Sequence, residues 1–340
     1  MFVRMLTVKG DKIVVFGDRH IEDVYRGKHK NYRKNSLDCM KLTLDVVKEE
    51  EPDLYVETGD FIGVRRDISW ISQDRDLLRA TAQFLQDIKC PVVINTGNHD
   101  IHGGSEKNDY RFLSDMGYFT RPQQFEEDGV SVVKLETSDK EMPIYLYFVK
   151  YGFDDVVLKA VDKKALNIAI THGDFRIGSK DFSGNPDAID LVTHEPFFEM
   201  DVILNGHIHE PMEQMEEFKF YNGKRCNFLN LGCMARPKIS ENYDQVWYVV
   251  ISIQEILEGV YKPSIECKEL KLPSVEEVFN LTKPLKDLVQ EEKEESLEDL
   301  SVIFSALQDV SFGTISVEDR VNLLPVDVKM KELILRFMKE

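Results

Sequence analysis

KIVVFGDRH, residues 12–20, is an apolar stretch of strand-like composition that runs straight into a glycine and two side chains able to bind a metal, Asp18 and His20. Four further stretches behave alike. DLYVE (53–57) leads to Asp60, PVVIN (91–95) to Asn98 and His99, LNIAI (166–170) to His172, and DVILN (201–205) to His207 and His209. Five of the eight histidines therefore stand where a strand gives way to a loop. In open α/β sheets that carboxyl edge is where ligands bind, so the chain reads as a metalloenzyme.

Working outward, SLDCMKLTLDVVKEE (36–50) places Leu37, Met40, Leu44 and Val47 at helical spacing behind a Ser36 cap, and a second helical stretch spans roughly 73–88. Strand, helix, strand, helix, strand is the rhythm of parallel βαβ units. Beyond it, SVVKL, IYLYFV, NFLNL and VWYVVISI read as strands with fewer helices between them, which a second sheet packed on the first accommodates. The expectation is an α/β two-sheet sandwich flanked by helices.

With 340 residues the chain exceeds the size at which one core usually stops growing, so a large domain with a smaller appendage is expected. The break KLPS near residue 271 divides a domain of residues 1–270 from a segment of residues 271–340. In that segment Leu297, Leu300, Ile303, Phe304 and Leu307 form one helical stripe, and Val328, Leu333, Ile334 and Phe337 another. Ser316 and Asp319 between them have capping-box spacing. A small C-terminal helical extension follows.

The first residues lack the apolar core of a secretory signal and no apolar run is long enough to span a bilayer, so a soluble, intracellular protein with no membrane partner is expected. Five cysteines, at 39, 90, 226, 233 and 267, make no CxxC spacing, and read as reduced structural thiols. A formal charge of −18 argues against binding nucleic acid over the whole surface. Any polyanion has to be held locally.

A pair of divalent cations needs one short bridging anion surrounded by neutral ligands. Asp18-Arg19-His20 puts two donors on one loop, Gly59-Asp60 a carboxylate after a tight turn, and Gly206-His207-Ile208-His209 alternate side chains on one side. Two-metal sites of this kind activate water and clamp the oxygens of an in-line displacement at phosphorus. Singly, a Gly-Asp or a Gly-His is usually a turn. Jointly they point to phosphoester hydrolysis. His29, His102 and His194 stand outside the motifs and read as loop or surface residues.

In this order GDRH, GD, GNHD, TH and GHIH resemble the signature of the calcineurin-like metallophosphoesterases, over a layout of roughly residues 11–255. The resemblance implies that Asp18, His20 and His209 hold one metal, that Asn98, His172 and His207 hold the other, and that Asp60 bridges them. It makes His99 the catalytic histidine, outside the ligand shell and suited to protonating a leaving oxygen, with Asp100 as the group that orients it. Mixed oxygen and nitrogen donors suit manganese, iron or zinc, and the resemblance favours manganese.

The first loop continues as YRGKHKNYRK and the second as GVRR, so Arg26, Lys28, Lys30, Arg33, Lys34, Arg65 and Arg66 form a candidate DNA-binding rim. Such a rim engages phosphates beyond the scissile one; the plainer reading is a solvated charged loop. The core-plus-helices layout, with NGHIHEPMEQ and FLNLGCMARP, is similar to the SbcD-type nuclease subunit of double-strand-break repair and its bacteriophage recombination relatives. That resemblance implies DNA as substrate, an SbcC-type coiled-coil ATPase docked on the C-terminal helices, and a cytoplasmic location in a bacterial or bacteriophage-infected cell. It also leaves room for a homodimer. One departure is Gly63, where many of these nucleases carry an acidic residue or histidine. The leading alternative is a stand-alone phosphatase or cyclic phosphodiesterase. A metal-stabilised scaffold without catalysis is the other, and retention of His99 argues against it.

Overall fold

The computed structural model of the chain describes residues 5–22, 32–63, 75–101, 108–126, 131–138, 142–235, 243–257 and 260–279. The expected α/β layering is present. Three helices and the strands that alternate with them come first: β1 (Met5–Lys9), β2 (Lys12–Phe16), α1 (Tyr32–Glu50), β3 (Leu54–Glu57), α2 (Arg75–Asp87), β4 (Val92–Ile94) and α3 (Asp109–Asp115). The strands β5 (Ser131–Glu136), β6 (Ile144–Phe148), β7 (Leu166–His172), β8 (Phe175–Ile177), β9 (Lys180–Asp181), β10 (Ile189–Asp190), β11 (Val202–Gly206), β12 (Glu216–Lys219), β13 (Arg225–Asn230), β14 (Gln245–Leu257) and β15 (Val260–Lys271) follow, and α4 (Val275–Phe279) closes the unit.

Two sheets carry the architecture, one in the order β1-β5-β6-β7-β11-β13-β12 and the other β15-β14-β2-β3-β4, with a small β10-β8-β9 sheet beside them. Strand periodicity explains how they stack. In β2, Ile13 and Val15 join the apolar layer shared with the seven-stranded sheet, whereas Val14 and Phe16 join the layer under the helices. Leu54 and Val56 of β3 against Tyr55, and Val249 and Ile251 of β14 against Val250, alternate the same way. One core lies between the sheets, and a second lies between the five-stranded sheet and α1, α2 and α3.

Helix α1 begins at Tyr32, ahead of the cap expected at Ser36. Ser36 lies inside the helix, where its hydroxyl accepts from the Glu22 N–H at 3.1 Å and donates to the Glu22 carbonyl at 2.8 Å. It thereby ties the helix to the end of the first metal-ligand loop. At the other boundary α4 buries Val275, Val278 and Phe279. Its start is a capping box: the Ser274 N–H donates to Glu277 Oε2 at 2.8 Å and the Glu277 N–H to Ser274 Oγ at 3.3 Å. The chain divides by compactness into Met1–Phe279 and Asn280–Glu340. The apolar stripes expected between Leu297 and Phe337 lie outside the described residues. Among the described residues no helix is long and apolar enough to cross a membrane.

Candidate metal centre

β2, β3 and β4 of one sheet and β7 and β11 of the other all end at one edge, and their exits carry Asp18 and His20, Asp60, Asn98 and His99, His172, and His207 and His209. Asp60 lies at the middle. Its Oδ2 is 3.5 Å from His20 Nε2 on one side and 3.2 Å from His172 Nε2 on the other, while Oδ1 accepts the His99 backbone N–H at 2.8 Å. Asn98 Oδ1 is 3.2 Å from His172 Nε2 and 2.9 Å from His207 Nδ1. Asp60, His172 and His207 form one group of donor atoms close enough to share a cation, and His20, Asp60 and His99 form another. Asn98, His172 and His207, expected around the second metal, are thus brought together beside Asp60.

Of the first set, His20 and His209 converge, with ring centroids 4.9 Å apart, and the buried Asp18 keeps Oδ1 3.7 Å from His172 Nδ1. Its Oδ2 accepts the His207 N–H at 2.8 Å and its Oδ1 lies 3.3 Å from Thr58 Oγ1. The ring of His99, expected outside the ligand shell, packs against His20 at 4.6 Å between centroids. Asp100 turns both carboxylate oxygens to backbone, accepting Ile62 N–H at 3.2 Å and Gly97 N–H at 2.9 Å. It thereby holds the Asp60 loop against the GNHD loop.

The residues fit a pair of cations. His20 is fully buried and neither of its ring nitrogens has a hydrogen-bond partner, which leaves one N–H and one lone pair unsatisfied at about 1–3 kcal/mol each; a metal ion would take up the lone pair. Burial and then the neighbouring Asp60 hold the Asp18 carboxyl well above the ordinary range, and the same two causes act on Asp100. Burial also pushes Asp60 up, but the surrounding His172, His99 and His20 outweigh it and hold that carboxyl well below the usual range. Burial lowers His20, His99 and His172 in turn. Buried carboxylates crowded among imidazoles make a donor set for which a dication is the natural counter-charge.

Backbone conformation is part of the construction. His20, Asp60 and His207 have φ of 47°, 48° and 78°, in the left-handed region. Each such residue costs on the order of 1–3 kcal/mol when the surroundings impose it. Gly97 is required for another reason: a Cβ there would lie 2.1 Å from Asp60 Oδ1. At Gly63, the departure from the nuclease pattern, a Cβ would lie 2.0 Å from Glu22 Oε1. The Glu22 side chain fills the space that a larger residue at 63 would need.

Several supports of the site do not show in the sequence. Arg19, between two expected ligands, is fully buried, with Nη2 2.6 Å and Nε 2.9 Å from Glu57 Oε1. Its guanidinium also donates to Thr43 Oγ1 at 2.9 Å and to the Tyr55 hydroxyl at 2.7 Å, and it faces the Phe84 ring. Asn205 accepts from Thr171 Oγ1 at 2.9 Å and from Gly173 N–H at 3.1 Å, and donates to Asn230 Oδ1 at 3.0 Å, which staples the TH and GHIH loops together. Its one sequence signal is an asparagine closing an apolar strand, a polar group that burial obliges to find partners.

Of the candidate DNA-binding residues, Arg26, Lys28, Lys30, Arg65 and Arg66 lie outside the described residues. Arg33 and Lys34 begin α1, where Arg33 is 3.9 Å from Asp76 and Lys34 3.1 Å from Asp38. Both are exposed pairs of small energetic consequence.

The calcineurin-like phosphoesterase family model matches residues 11–211. The chain belongs to that family, a class of metal-dependent phosphoesterases using two divalent ions. Among solved structures it is similar to the calcineurin-like phosphoesterase YfkN from Bacillus subtilis, with 14% identity over 85% of this chain and 98% of that one and a TM-score of 0.43. It is also similar to a dimetal phosphatase from Danio rerio, with 10% identity over 77% and 99% and a TM-score of 0.40. No curated protein sequence matches the chain.

Proposed function

We propose that this metallophosphoesterase is a DNA nuclease that works with an SbcC-type coiled-coil ATPase. The observation that carries the phosphoesterase part is the position of Asp60 Oδ2, which faces His20 at 3.5 Å and His172 at 3.2 Å and so stands between two donor groups. A pair of cations held there supplies an activated water and charge balance for the phosphoryl oxygens. The chain's own residues do the rest. Asp60 would bridge the pair, His172, His207 and Asn98 would hold one position, and Asp18, His20 and His209 would hold the other. His99, whose backbone N–H donates to Asp60, is the residue that would protonate the leaving oxygen. Manganese is the ion we assign to the oxygen-containing set around Asn98 and Asp60.

The DNA part is supported by the basic residues Arg26, Lys28, Lys30, Arg65 and Arg66, which follow the first two ligand motifs directly in sequence. On a polynucleotide such residues engage phosphates beside the scissile one. The partner is supported by the apolar stripes between Leu297 and Phe337, which exceed what two short helices hide against each other.

The test compares manganese-dependent release of label from duplex and single-stranded DNA with turnover of small phosphomonoesters and diesters, using Asp60→Asn as control. Release from DNA that the control abolishes is the expected result. Turnover of small esters alone replaces the nuclease with a stand-alone phosphatase or cyclic phosphodiesterase. For the partner, truncation after Glu295 is expected to abolish co-purification with an SbcC-type ATPase. Undiminished co-purification refutes the docking role.

A further inference from the structure

Two residues past His172 stands a carboxylate that belongs neither to the ligand set nor to the proton donor, Asp174. It lies in the turn between β7 and β8, where the Gly173 N–H donates to Asn205 Oδ1 at 3.1 Å, Asn205 Nδ2 donates to the Gly173 carbonyl at 3.0 Å, and the Ile189 N–H donates to the Asp174 carbonyl at 2.9 Å. Anchored so, Asp174 brings Oδ1 to 3.5 Å from His207 Nε2 and accepts from Asn185 Nδ2 on Oδ2 at 2.8 Å. The opposite nitrogen of the same ring, His207 Nδ1, is the one that lies 2.9 Å from Asn98 Oδ1. The rings of Tyr151 and His172, each with its centroid 5.2 Å away, wall the imidazole in. His172 is turned the other way round. Its Nε2 lies 3.2 Å from both Asp60 Oδ2 and Asn98 Oδ1, and its Nδ1 lies 3.3 Å from the Thr58 carbonyl oxygen.

A neutral imidazole carries one N–H and one lone pair, and the group that faces one nitrogen decides which of the two it bears. We propose that Asp174 is a positioning residue of the second metal position, accepting the Nε2–H of His207 and thereby reserving the Nδ1 lone pair for the cation. The inference rests on the two-metal reading above. His172 takes the opposite tautomer, with Nδ1–H toward the Thr58 carbonyl and the Nε2 lone pair toward Asp60 and Asn98. The two imidazoles therefore differ in what stands behind them, a neutral carbonyl for His172 and a carboxylate for His207. A carboxylate at the outer nitrogen fixes the orientation of the ring and makes the inner nitrogen more basic. His207 is thus the stronger donor of the pair, and its strength comes from a residue that binds no metal.

The experiment titrates the metal-free, full-length chain with zinc(II) by calorimetry, counts ions per chain by elemental analysis and records the thermal midpoint of the metal-free form. Two ions bound by the unaltered chain, with the Kd for one of them raised roughly 10–100-fold in Asp174→Ala and the other unchanged, is the expected result. The metal-free midpoint should stay within about 1 °C, and Asp174→Asn, which keeps an acceptor oxygen without the charge, should recover part of the loss. Two unchanged Kd values overturn the inference. An equal loss at both positions with a lowered metal-free midpoint makes Asp174 a support of its turn alone, and overturns it as well. Fewer than two ions in the unaltered chain overturn the two-metal reading itself, and this inference with it. Should Asp174→Ala fail to fold, nitrogen-15 NMR of the zinc-loaded, histidine-labelled unaltered chain decides the point. A His207 ring bonded through Nδ1 and protonated at Nε2 supports the assignment, and one bonded through Nε2 refutes it.

Discussion

Replacing Glu57 by glutamine removes the carboxylate that the structure sets against the buried Arg19 guanidinium, 2.6 Å from Nη2. Arg19 cannot escape by losing its proton: burial alone favours the neutral form, but Glu57 and Tyr55 outweigh it and raise the group above its already high ordinary value. The variant keeps the hydrogen bonds from Arg19 to Thr43 and Tyr55 but leaves a full charge in an apolar pocket under Phe84. Breaking one side of a buried pair costs about 3–5 kcal/mol. At about 2 °C per kcal/mol for a unit of this size, the thermal midpoint should fall by roughly 6–10 °C. The assay is calorimetric unfolding of the full chain at fixed excess metal, because bound ligand shifts the midpoint by itself. Arg19→Met combined with Glu57→Leu removes both charges and is expected to recover most of the loss. A midpoint within about 1 °C of the unaltered protein, or a double variant no better than the single one, refutes the account of the pair as a buried, uncompensated charge on disruption.

Other outcomes follow from the same geometry. Asp60→Asn, which removes the bridging charge, is expected to deplete metal from both positions, whereas His99→Ala retains metal and lowers turnover; elemental analysis beside rate measurement separates the two, and a His99 variant empty of metal contradicts its role as proton donor. Gly97→Ala places a Cβ 2.1 Å from Asp60 Oδ1 and so displaces the bridging carboxylate. A fall in turnover on the order of 10²-fold at saturating metal is expected, and an unchanged rate means that the loop yields without moving Asp60. Replacing Arg26, Lys28 and Lys30 together by alanine should weaken DNA binding and reduce the log-log salt slope by roughly 0.9 for each phosphate no longer neutralised. A slope that stays the same places those side chains away from DNA.

The strands that feed the centre were legible because each is a short apolar run that leads into a metal-binding side chain, and period-two alternation is nearly all a sandwiched strand needs to declare. Helix α1 was legible through Met40 and Val47, both buried in the layer under the five-stranded sheet. β15 was not. VYKPSIECKELK is rich in Lys and Glu and contains Pro263, a composition tolerated because this strand lies at a sheet edge, where only β14 claims its hydrogen bonds. Arg19 was hidden for a related reason. A charged residue reads as exposed unless its partner is known, and Glu57 is 38 positions away. The candidate ligands were visible as a set, whereas the contacts that hold them were not. Which way Asp18 faces depends on a backbone hydrogen bond from His207, a segment distant in sequence.

The left-handed backbone at His20, Asp60 and His207 narrows what evolution can do with this centre. Among residues with a Cβ, asparagine, aspartate and histidine tolerate that region best. These are also the side chains that coordinate hard and borderline cations. At these three positions, then, the tolerance of the peptide chain and the demand of a metal select the same short alphabet. A lineage that abandoned catalysis would still be held near it by the loops, and drift there would interchange one ligand for another far more readily than it would introduce a valine or a leucine. The scaffold itself thus keeps the vocabulary of metal binding in use.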